Sequence, residues 1–149
     1  MKLSSREDID APVEKVFEAV TDFDRFERQL LRRGFDITRD ESCAPTEVGA
    51  KWQAQIPWRG RTHDVATELV SFDKNSGFAF ESQSGGVICL GVVDLVALSK
   101  ARTRLFVSLD MRPTTLSSRL FIQSLKLAKG TLSRRFKTRV ADWAARIDT

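Results

Sequence analysis

The sequence predicts an α+β fold: a strongly curved antiparallel sheet of about seven strands, in the order β-α-α-β6-α, wrapped around a long C-terminal helix. Three observations carry this. A short period-two strand near the N-terminus runs into a helix begun by Pro12. A run of about six strand-like segments follows, joined mainly by tight turns, and short turns imply antiparallel neighbours. From Leu116 to Ile147 the apolar period then changes from two to three or four. One long helix cannot cover both faces of such a sheet, but it fits the concave side of a curved one. A cavity left between the two is a default ligand site.

The elements follow in order. Lys2 to Asp10 reads as a strand, with Leu3 and Ile9 on one face. Pro12 suits a first helical turn, where its missing N–H costs nothing. Val13, Val16, Phe17 and Val20 recur at helical spacing, and Phe23, Phe26, Leu30 and Leu31 do so after a break at Thr21-Asp22. This predicts two short helices, or one bent helix, ending at Gly34. Phe35 and Ile37 begin a strand, and Ser42 to Gly49 is a loop. Trp52, Ala54, Ile56 and Trp58 alternate with Lys51, Gln53, Gln55 and Pro57, the clearest period-two signal in the chain. Arg59-Gly60-Arg61 turns this strand into Thr62 to Phe72, and Asp73 to Gly77 forms the next turn. Phe78 and Phe80 open a strand that ends at Ser84-Gly85-Gly86. Val87 to Leu98 is a long apolar strand, turned by Ser99-Lys100-Ala101. Leu105, Val107, Leu109 and Met111 alternate through the last strand, which Pro113 ends. In the final helix, Phe121, Leu125, Ala128, Leu132, Phe136, Val140, Trp143 and Ile147 form one stripe over about eight turns. Gly130 is expected to soften it.

The 149 residues suit one domain, taken as residues 1–149. With 42% hydrophobic and 30% charged residues, the chain reads as a globular protein. A formal net charge of +4 favours acidic partners but is mild for a nucleic-acid binder. The first ten residues lack the apolar core of a signal peptide, and no apolar run approaches the ~20 residues of a membrane span. Cys43 and Cys89 stand in unlike contexts, which suggests free thiols in a reducing cytoplasm rather than a disulfide framework.

The stretch Ile9-Asp10-Ala11-Pro12-Val13-Glu14-Lys15-Val16-Phe17-Glu18-Ala19-Val20-Thr21-Asp22 resembles the opening of the START-like, helix-grip superfamily. That superfamily includes polyketide cyclase/dehydratase-like proteins, lipid-transfer domains and pollen-allergen relatives. Only residues 9–22 match in residue type; the element order matches along the whole chain. The resemblance implies an internal cavity for an apolar or amphipathic small molecule. It says little about which molecule, because fold does not give function. Pro12 and its motif are therefore read as scaffold.

For chemistry, the chain offers one histidine, His63, and no tyrosine. One imidazole and no paired-cysteine motif argue against a transition-metal site, and no Asp/Glu cluster has loop-ligand spacing. No nucleophile elbow or phosphate-cradling glycine loop is present, so neither metal nor cofactor is expected. His63 shares a face with Val65, Thr67 and Leu69. It is either a general base in the cavity or a partly exposed histidine near a basic turn. Glu7 shares a face with Leu3, Ser5 and Ile9. It is either a buried acid/base carboxylate or a marginal one paired with an arginine. An enzyme reading, as a cyclase, dehydratase or hydrolase, needs both side chains in one pocket.

Trp52, Ile56, Trp58, Phe78, Phe80, Leu105, Val107 and Leu109 fall on apolar strand faces, which either pack dry against the long helix or line the cavity. The helix stripe adds Phe121, Leu125 and Leu132. These faces hold few polar groups, which favours binding of a lipid, isoprenoid or polyketide-like molecule over catalysis. A collapsed core in a dimerising or regulatory protein is the third alternative. Leu116 to Ile147 also carries eight basic residues against one acid, Asp142. That is a solvated face, or a contact with an anionic membrane. Nucleic acid is disfavoured, because the aromatics that would stack bases are expected inside.

Overall fold

The computed structural model describes residues 1–58 and 60–147. Strand β1 (Lys2–Ile9) leads into an elbow in which Ile9 and Ala11 are buried. The buried hydroxyl of Thr103 donates to the Ala11 carbonyl at 2.8 Å, tying the elbow to the last strand. Pro12 then caps α1 (Val13–Val20) from extended backbone. At the expected break, the Thr21 hydroxyl donates to the Phe17 carbonyl at 2.7 Å. The Asp22 carboxylate accepts from the Arg25 N–H at 3.3 Å and starts α2 (Phe23–Arg32). Gly34, at φ +87°, lets the chain reverse after α2.

The sheet comprises β1, β2 (Asp36–Arg39), β3 (Lys51–Trp58), β4 (Arg61–Asp73), β5 (Gly77–Ser84), β6 (Val87–Ser99) and β7 (Arg102–Pro113). The strand order is β1-β7-β6-β5-β4-β3-β2, antiparallel throughout. Part of the turn expected between β3 and β4 falls on Arg59, outside the described residues. A bulge between Leu69 and Ser71 leaves both Leu69 and Phe72 on the core side, and a second lies between Ala97 and Ser99. Such bulges bend strands and help the sheet curl. Leu69, Leu105, Ile9, Val16 and Val20 are fully buried between sheet and helices. Asp94 lies exposed on the opposite, convex face, near exposed Leu90, Val96 and Leu98.

The C-terminal helix departs from the expected single stripe. It runs as α3 (Leu116–Leu127) and α4 (Lys129–Ile147), interrupted at Ala128, two residues before Gly130. The Ala128 N–H bonds the Leu125 carbonyl at 3.0 Å, closing α3 with a tighter turn. This offset breaks the continuity of the stripe. On α3 the buried residues are Ser118, Ile122 and Leu125, while Phe121 and Ala128 are exposed. On α4 Val140, Ala144 and Ile147 are buried, and Leu132, Phe136 and Trp143 are half-buried. Helix α4 packs along edge strand β1, whereas α3 rests on β7.

Candidate functional site

A cleft of about 900 Å³ opens between the concave sheet, α2 and α4. Its floor is an aromatic box. Phe23 of α2 meets Phe80 at 5.1 Å and Phe78 at 5.2 Å between ring centroids, both edge-on. Trp52 meets Phe80 at 5.6 Å, again edge-on. This geometry suits the aromatic quadrupole and holds the rings rigid. On the helix side, Phe26 of α2 and Trp143 of α4 pair at 5.8 Å across the cleft wall.

Polar groups enter at two levels. The Trp52 indole N–H donates to Glu27 Oε1 at 2.5 Å, and both residues line the cleft. Arg39 Nε lies 3.3 Å from the same oxygen, at an angle that leaves it a Coulombic contact and Nε without a hydrogen bond. Deeper in, Thr67 and Ser82 share a hydrogen bond of 2.8 Å. Strand register sets Thr67 opposite Ser82 and Ser82 opposite Cys89, so the three form one polar rung across β4, β5 and β6. Burial, and secondarily the Asp110 carboxylate, raises the Cys89 thiol above its ordinary value, so it remains a protonated, weak donor. At the rim stand Arg33, Arg139 and Arg146, with Asp142 as the acid beside them.

Of the residues expected at a site, Trp52, Ile56, Phe78, Phe80, Val107 and Leu109 line this cleft. Leu105 is sealed in the core below it, and Leu125 is buried on α3. Leu132 is half-buried at the start of α4, outside the cleft lining. Trp58 and Phe121 form a separate edge-on pair at 5.7 Å, with His63 5.8 Å from Trp58. Glu7 borders a smaller depression beside Val107 and Lys137. Glu7 and His63 sit on β1 and β4, with three strands between them in the sheet, and the structure does not bring them together. The sequence reading missed Glu27 and the polar rung. The rung had a signal: Ser82 continues the period-two face of Phe78 and Phe80, and Thr67 that of Val65. Nothing in the sequence linked Glu27 to Trp52. Among the described residues, no group of three or more metal-ligating side chains gathers, and no helix is long and apolar enough to cross a membrane.

A seven-stranded antiparallel sheet curled over a C-terminal helix, with a cleft between them, is the helix-grip fold of the START-like proteins. Solved structures agree. A protein of Thermus thermophilus superposes with a TM-score of 0.67 at 15% identity, over 99% of this chain and 97% of that one. A norcoclaurine synthase point mutant of Thalictrum, bound to a transition-state analogue, gives 0.68 at 11% identity, over 99% and 93%. An aromatase/cyclase of Streptomyces gives 0.59 at 14% identity, over 77% and 69%. No protein-family model and no curated protein matches the sequence. At these identities the likeness establishes the fold, and function has to be argued from the cleft.

Proposed function

We propose that this chain is a single-domain binding module that encloses one amphipathic, largely apolar molecule of lipid, isoprenoid or polyketide-like character. The cleft carries this reading: about 900 Å³ of space with an aromatic floor and a single polar rung. Apolar ligand surface laid over Phe23, Trp52 and Phe80 would be driven in at about 25 cal/mol per Å². A hydroxyl or carbonyl on the ligand would meet Thr67, Ser82 and Cys89. An anionic group would meet the rim guanidinium groups of Arg33 and Arg139.

Two unbridged cysteines fit a reducing cytoplasm. Contact with an anionic membrane through the basic C-terminal helices fits ligand collection or delivery; nucleic acid fits less well, because Phe23, Trp52, Phe78 and Phe80 are taken up by the cleft floor and the net charge is only +4. The catalytic alternative, a cyclase, dehydratase or hydrolase, has less support. Glu7 and His63 stand outside the cleft; of the two carboxylates that line it, Glu27 is already engaged by Trp52 and Arg39, and Asp142 stands at the rim beside Arg139 and Arg146.

Native mass spectrometry of freshly purified protein, with organic extraction of what it carries, tests the reading. A co-purifying apolar molecule that is absent from Trp52→Arg supports it. A clean apo mass, unchanged after incubation with a panel of lipids and polyketides, overturns it.

A further inference from the structure

The outer face of α3 carries three leucines, with the uncharged Gln123 among them, where a globular domain would place charge. Leu116, Leu120 and Leu127 are 75%, 61% and 92% exposed. At 100° per residue the three fall within about 40° of one another, on a ridge about 16 Å long. Ser118, Ile122 and Leu125, which face the core, lie on the opposite side of the same helix. The orientation is fixed at the N-terminus. Thr115 and Ser118 form a reciprocal capping box, and the Thr114 N–H donates to the Gly86 carbonyl at 2.8 Å. The ridge is therefore a built surface of a firmly docked helix.

Its charge setting is one-sided. From Leu116 to Arg139 the chain has seven cations and no acid, with Arg119 and Lys126 beside the leucines. On the flank of α3, Phe121 packs against Trp58, which is 40% exposed, and Ile56 on the same strand lines the cleft. A leucine ridge edged by cations is what an amphipathic helix presents to an anionic bilayer interface. A second copy of the chain fits less well. Two such ridges placed face to face would bring the cations of both copies together.

We propose that α3 is a membrane-insertion element: Leu116, Leu120 and Leu127 enter the interface of an anionic bilayer, while Arg119 and Lys126 engage lipid phosphates. The docked membrane then lies next to the Trp58–Ile56 path toward the cleft. This rests on and deepens the membrane contact proposed above by naming the residues that make it, and it stands apart from ligand binding, because docking is measured with no cleft ligand present.

The test is flotation with vesicles of phosphatidylcholine alone and of equal parts phosphatidylcholine and phosphatidylglycerol. The wild-type protein floats with the anionic vesicles and not with the neutral ones. Combined Leu116→Ser, Leu120→Ser and Leu127→Ser lowers partitioning by at least about 30-fold. These side chains face water, so the triple variant stays folded, with a melting temperature lowered by a few degrees at most through the poorer helix propensity of serine, and keeps the native mass-spectrometric ligand load. Arg119→Gln with Lys126→Gln lowers partitioning by about 25-fold, from about fivefold per basic residue near such a surface. Failure of the wild type to float overturns the proposal, as does equal flotation by the triple-serine variant. So does a dimer in sedimentation velocity that the triple substitution converts to monomer, since the ridge would then be a subunit interface.

Discussion

Removing the indole N–H of Trp52 tests how the cleft is held together. Trp52→Phe keeps an aromatic ring among Phe23 and Phe80 and deletes the donor that reaches Glu27. A hydrogen bond to a charged acceptor is worth about 1.5–3 kcal/mol. The Glu27 side chain is 22% exposed, so water partly replaces the lost donor and the lower end applies. The smaller ring also leaves a void in a packed box, adding about 1 kcal/mol. The expected loss is therefore about 2–3 kcal/mol in urea unfolding followed by far-ultraviolet circular dichroism. Glu27→Gln retains an acceptor oxygen but loses the charge, and the double variant should show coupling of about 1 kcal/mol or more. Stability of Trp52→Phe within about 0.5 kcal/mol of wild type, or strict additivity in the cycle, would refute the link from α2 to β3.

Two further outcomes are expected. Asp8 accepts from Arg104 at 2.7 Å across β1 and β7, and that hydrogen bond, followed by the Arg104 and Arg102 charges, holds its carboxyl below the usual 3.8. A depressed carboxyl stabilises the fold above its unfolded value and loses that effect as pH falls through the folded one. The melting temperature should thus decline as pH drops below 3.8, and Asp8→Asn should flatten part of that decline; identical slopes would exclude the pair as a cause. Gly86 has φ +78°, and a Cβ there would stand 2.7 Å from Thr115 Oγ1. Gly86→Ala should cost about 2–4 kcal/mol in urea unfolding, because it adds left-handed strain to displacement of the α3 cap. Gly85→Ala, where the Cβ would meet open space, should cost about 1 kcal/mol and serves as control.

Much of the architecture was legible in the sequence because it depends on local periodicity. Trp52, Ala54 and Ile56 marked both a strand and the face that lines the cleft, and Val16, Phe17 and Val20 marked the buried side of α1. The motif from Ile9 to Pro12, read as scaffold, forms the elbow that Thr103 holds. The break at Ala128 was misplaced to Gly130, since glycine propensity was the local cue and tertiary packing chose another residue. Phe121 illustrates the consequence. It belongs to the helical stripe by spacing, yet the offset between α3 and α4 turns it outward toward Trp58.

The polar content of the cleft depended on contacts that spacing does not encode. Glu27 and Trp52 are 25 residues apart, on a helix and a strand, and only the packing of α2 over β3 joins them. Thr67, Ser82 and Cys89 became a rung through strand register, which fixes neighbours across strands and not along them. Glu7 and His63 were plausible partners as residue types, but the strand order set three strands between them. The sequence by itself determined which residues pair into strands and helices and which faces are apolar, because those properties repeat every two or 3.6 residues. Only the tertiary structure decided which of those faces enclose a cleft and which, like the leucines of α3, are left to solvent, because that choice is made by long-range packing.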